Sequence, residues 1–255
     1  MRNARQMNVR RVNVRWVSVG LGVVGLLLGG GSGAQTATNP YPNIAPLAQY
    51  LSSSQEAEIA LARSAAPPSI SAEAEILAFG TKGYETAVKG KNRFVCIVER
   101  GWSNNYDKPD FWNPKVRQPH CFNQAAARSV LPAYLKRTEW VLAGLSRPEM
   151  LDRTKAAVAT HEFGPPELGS MVYMMSKETY LADGVGHWYP HLMFLLPRTS
   201  AQEWGADLEG SPVFSDSTFL EPLTIFFVPV TRWSDGTLAE VSSHPATSGA
   251  TATTH

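Results

Sequence analysis

Two imidazoles stand four positions apart behind a glycine-rich turn: His187 and His191, in the run 184–191 that also holds Trp188, Tyr189 and Pro190. Neutral imidazole binds zinc, copper, nickel and iron, so a divalent transition metal such as zinc is the cofactor that this pair would take. Spacing weakens the idea. Pro190 steers Tyr189 toward extended backbone, and four extended residues separate their α-carbons by about 13 Å. The segment must turn before both rings reach one ion, and the helical H-E-x-x-H arrangement is absent. His161 is the third metal candidate. It follows Met150, Thr154, Ala157 and Val158 at helical spacing and is expected to point inward. Glu162 or Asp183 would complete such a site, whereas the adjacent pair His120 and Cys121 is weak evidence for metal.

A second group of candidates is aromatic. Trp102, Tyr106, Phe111, Trp112, Trp188 and Tyr189 all fall in expected loops. Gathered on one face, such rings suit a glycan, a peptide or an apolar small molecule, because flat side chains stack at little entropic cost. The alternative is a satellite core roofing a sheet. Glu99 and Arg100 end an expected strand and offer a carboxylate and a guanidinium to a polar ligand, or to an ion pair. Asp107, Asp110 and Asp183 lack a calcium-loop spacing, and no GxGxxG or phosphate loop occurs.

These residues must be positioned by elements whose signals alternate in kind. Ser53 and Glu56 form a capping box that opens a short helix ending near Arg63. Residues 74–79, 84–89 and 93–99 alternate with period two between Gly and Asn turns, which reads as an antiparallel meander. Residues 101–122 read as a long aromatic loop, a length uncommon unless functional or pinned. Leu131, Leu135, Thr138, Leu142 and Leu145 make one helical face, with Pro132 kinking that helix or marking its first turn. A second capping box, Ser146 and Glu149, starts a helix over 147–163. Apolar runs at 170–175, 192–196 and 223–230 suggest strands buried on both faces, and Pro229 places the last strand's end at an edge or bulge. Strands, helices, then strands make an α+β fold: a mainly antiparallel sheet with a central pair of helices packed on it.

The flanks differ from this domain. Residues 1–15 carry five arginines and no acid, 16–28 are apolar, and 29–34 are small. That order is the layout of a cleavable signal peptide, with cleavage near Ala34. The 13-residue apolar stretch is short of the ~20 residues that span a bilayer. The serine within the glycines at 29–33 lies in this discarded segment and has no strand–turn–helix context for a nucleophile elbow. A Pro- and Ala-rich linker or arm is expected over 35–50, one globular domain over 51–241, and a low-complexity tail over 242–255.

Removing residues 1–34 takes away five of the 23 basic residues and none of the 22 acidic ones, leaving a net charge of about −4. That balance argues against nucleic acid as the main partner. No transmembrane segment is expected in the mature chain. In the periplasm or outside the cell, the two cysteines, Cys96 and Cys121, are expected to form a disulfide. The expectation is an exported, non-enzymatic binding or structural domain. The alternative is a metal-dependent hydrolase built on His187 and His191.

Overall fold

An eight-stranded sheet runs through residues 39–239, the part of the chain that the computed structural model describes. The expected signal peptide and the expected tail lie outside the described residues. In chain order the elements are α1 (Gln55–Arg63), α2 (Pro68–Ser71), β1 (Glu75–Gly80), β2 (Gly83–Val88), β3 (Val95–Glu99), β4 (Gln118–Phe122) and α3 (Gln124–Ser129). They continue with α4 (Leu131–Leu142), α5 (Arg147–Ala159), β5 (Met171–Met174), β6 (His191–Pro197), β7 (Phe214–Asp216) and β8 (Leu223–Pro229). The strand order is β2-β1-β3-β4-β5-β6-β8-β7. The fold is α+β with a mostly antiparallel sheet. The meander expected for the first three strands does not form, because β3 lies parallel to β1 rather than beside β2.

Side-chain alternation divides the sheet into two faces. Cys96, Val98 and Cys121 point to the side where Ala62 of α1 and Ala65 and Ala66 just beyond it close down. Small residues there let helix and sheet backbones approach. Ile97, Phe122, Val172, Met193, Leu195 and Ile225 point the other way, under Ala126, Val130 and Leu131 of α3 and α4. Each large apolar side chain buried in this layer contributes about 1.5–3 kcal/mol. α5 packs behind α4 through Ala133 and Ala157, with Phe163 from just beyond α5 in the same cluster.

Local chemistry sets the helix starts. Ser54, one residue later than expected, caps α1 by accepting from Ala57 N at 3.2 Å. The capping box of Ser146 and Glu149 opens α5 as expected, and Pro132 sits in the first turn of α4, where its missing N–H costs nothing. β6 is buried on one face only, leaving Phe194 exposed, unlike the expectation of burial on both.

Cys96 and Cys121 face each other in the β3–β4 register and are joined by a disulfide. The segment between them is not one long loop. Its last part is β4, and short 3-10 turns at Gly101–Ser103 and Pro109–Trp112 fold the rest into a lid over the sheet's end. Gly101 is obligatory there: a Cβ would sit 2.5 Å from Asp110 O and 2.7 Å from Phe111 O. The expected arm is packed from Tyr41 onward, with Tyr50 fully buried and its hydroxyl donating to Trp112 O at 2.7 Å. Among the described residues no helix is long and apolar enough to cross a membrane.

Candidate functional site

On the α4 side, four neighbouring strands each deliver one side chain to a common row. Glu99 ends β3, His120 is central in β4, Met174 ends β5 and His191 begins β6. Strand pairing aligns them: Glu99 lies opposite Gln118, Cys121 opposite Tyr173, and Met174 opposite His191. All four line a cavity of about 460 Å³. Phe122, Met193, Leu195 and Phe227 extend its floor along the sheet, and Tyr134 of α4 forms part of its roof.

Two loops make the mouth. One is the lid, contributing Ser103, Asn104 and Lys108; the other contributes Leu181, Ala182 and Trp188. Buried Arg137 of α4 holds the lid, donating to Ser103 O at 3.0 Å and Asn104 O at 3.1 Å while pairing with Glu221 at 2.7 Å. The second loop is fastened on two sides. Arg117 and Tyr180 bond as an antiparallel bridge at its base. Asp183 then receives Lys115 at 2.8 Å and the hydroxyls of Tyr180 and Tyr41. Lys115, then the two tyrosines, hold the Asp183 carboxyl well below the usual carboxylate range.

The floor is unusually polar for a buried layer. Glu99, His120 and His191 are 2%, 6% and 2% exposed. Glu99 Oε1 lies 2.7 Å from His120 Nδ1, out of line for a hydrogen bond. His120 Nε2 rests 3.1 Å from Met174 Sδ. His191 Nδ1 donates to Tyr189 O at 2.7 Å. Burial, helped by the nearby His120, lowers the His191 pKa from 6.5 to about 4, against the pull of that carbonyl. The ring is therefore neutral near pH 7. It is clamped by Trp188 and Phe227, with centroids 4.8 and 5.6 Å away.

Of the sequence candidates, Glu99, Trp188 and His191 meet at this cavity. Tyr189 contributes its carbonyl. Arg100 does not join Glu99: as the next residue it projects to the opposite face, where it is fully buried and pairs with Glu58 at 2.9 and 3.0 Å. Trp102, Phe111 and Trp112 form the satellite core with Tyr50 and Phe79, so these tryptophans are structural. Tyr106 packs on the same cluster and bonds Thr154 at 2.7 Å.

The three candidate metal ligands are dispersed. His187 is exposed and its ring lies edge-on to Trp233, with centroids 5.3 Å apart. His161 does not point inward: it is exposed just past α5, with a left-handed φ of 61° that takes it off the helical face. Glu162 is likewise exposed, and Asp183 is spent on Lys115, Tyr180, Tyr41 and Asn113. Among the described residues no three His, Cys, Asp or Glu side chains are placed to hold a metal ion.

Sequence reasoning set His120 aside as weak evidence for metal and missed Met174. The signal was present in 118–122, where Gln118, His120 and Phe122 alternate, but Pro119 disguised the strand. β5 pairs only Cys121 and Phe122 of this strand, so one side of Pro119 needs no N–H. A second cavity of about 250 Å³ lies beyond Tyr134 and Phe219. Of its charged lining residues, Arg128 and Glu167 pair with each other, Glu221 is taken by Arg137, and Glu162 is exposed.

Compared with known proteins, the chain matches no family model, no curated protein and no solved structure.

Proposed function

We propose that this chain is an exported binding domain for a small, largely apolar molecule, held between the sheet and the lid. One observation carries the reading: a largely apolar cavity of about 460 Å³ whose lining includes the buried polar groups of Glu99, His120 and His191. Cavities of roughly 300–1,000 Å³ lined by aromatic and aliphatic groups with a few polar anchors are the usual form of small-molecule sites. The structural rival, in which these groups merely fill a core, is disfavoured by His191 Nε2 and Glu99 Oε1, which are buried and have no hydrogen-bond partner among the described residues. Export is supported by the signal-peptide pattern at 1–34 and by the Cys96–Cys121 bridge.

Trp188 lies in the mouth and reports occupancy. Titration with uncharged two-ring aromatics is expected to change tryptophan emission saturably, and Trp188→Phe is expected to lose most of that change. No saturable response across such a set, with the protein folded, contradicts the reading.

A second reading is favoured by the carboxylate–imidazole pair of Glu99 and His120 beside a neutral His191: proton transfer on the bound molecule. It predicts turnover that Glu99→Gln abolishes while binding persists. Binding without turnover in the unaltered chain leaves the binding domain alone.

A further inference from the structure

His191 determines the hydrogen-bonding role that an occupant has to play, given that the cavity is a binding site as proposed above. A backbone carbonyl has only lone pairs, so in the 2.7 Å contact with Tyr189 O the His191 Nδ1 carries the proton. A neutral imidazole with its proton on Nδ1 has a bare lone pair on Nε2. That Nε2 is buried and has no hydrogen-bond partner among the described residues, and His191 lines the cavity. Nearby groups do not relieve it. His120 turns Nε2 to Met174 Sδ and Nδ1 to Glu99. Trp188 and Phe227 cover the His191 ring edgewise and tilted, which opposes a flip. An ether, ketone or ester seated here would set lone pair against lone pair, whereas an O–H would satisfy the buried acceptor. The surrounding Phe122, Met193 and Leu195 favour an uncharged body behind that group.

We propose that the cavity selects neutral, apolar molecules that carry a hydroxyl, seated with the O–H donating to His191 Nε2. The class is that of phenols and apolar alcohols, with their O-methylated and carbonyl counterparts discriminated against.

The test uses 2-naphthol and 2-methoxynaphthalene, which share a ring system and differ in the donor. Calorimetric titration of the full chain is expected to show 2-naphthol binding about tenfold or more tighter. In His191→Phe that preference is expected to collapse to about twofold or less. Because the variant removes a buried side chain, the nitrogen-15 signal of His191 Nε2 in unaltered protein provides an independent readout. It should move toward the hydrogen-bonded range with 2-naphthol and stay put with 2-methoxynaphthalene. Equal affinities, a tighter methoxy compound, or an unmoved Nε2 signal with 2-naphthol bound overturns the inference while leaving the cavity reading intact. Binding of neither compound contradicts the cavity reading and this inference together.

Discussion

Glu99 and Arg100 are sequence neighbours with separate partners, and the separation has measurable consequences. Arg100 is fully buried, with Glu58 as its countercharge, Tyr50 O as an acceptor at 2.9 Å and Phe79 beneath its guanidinium. Removing one partner of such a pair strands the other charge, so Glu58→Ala is expected to cost about 3–5 kcal/mol in denaturant unfolding. In an Arg100→Met background the same change is expected to cost far less. Equal costs in both backgrounds contradict the assignment. His191 supplies a pH signature with the opposite sign from a stabilised imidazolium. Its folded pKa of about 4 lies below its ordinary 6.5, so between these values the unfolded chain binds the extra proton. Its contribution is intact above about pH 6.5 and declines as pH falls toward 4. The unfolding temperature should fall across that window, and less steeply in His191→Phe. A variant with an unchanged slope would show that His191 is not the group responsible.

The lid is the element on which the cavity most depends. It turns back on itself at Gly101, where the backbone of Asp110 and Phe111 leaves no room for a methyl group. Gly101→Ala is therefore expected to cost about 1–3 kcal/mol by overpacking, and to speed amide exchange over residues 101–112. Exchange unaltered in that segment contradicts the packing account. Below the lid, the disulfide ties β3 to β4 and so fixes Glu99 relative to His120. Replacing both cysteines by alanine is expected to cost about 2–4 kcal/mol. Elements whose signals are local were legible in the sequence: α4 from its leucine spacing, α5 from its capping box, β1 to β3 from alternation, and β5, β6 and β8 from their apolar runs. The strand order was not legible. Turn residues determine that β1 and β2 form a hairpin, but nothing local tells β3 to pass β2 and settle beside β1. For the same reason Glu99, Trp188 and His191 could be named singly as candidates, while His120 carried only a weak metal signal and Met174 none. Their meeting depends on β4 and β5 being neighbours, and Pro119 hides the first of those strands.

At the scale of the whole molecule, the two sheet faces divide the work. The α1 face holds the disulfide, small residues and the buried Arg100–Glu58 pair, a layer built for close approach. The α4 face trades some close packing for a cavity, and its polar row crosses β3, β4, β5 and β6 at the end that the lid covers. Leu181 and Trp188 at the mouth belong to a loop that Lys115, Tyr41 and Tyr180 anchor through Asp183. The molecule thus combines a rigid support with a bounded space of ligand size, and occupancy of that space is the central claim. Leu181→Trp fills the mouth from a half-buried position without touching the polar floor. Calorimetric titration of 2-naphthol into the unaltered chain and into this variant tests the claim directly. The account predicts saturable binding of one molecule per chain, weakened about tenfold or more by Leu181→Trp with circular dichroism unchanged. No saturable heat with the unaltered chain, or equal affinity in the two proteins, would contradict it.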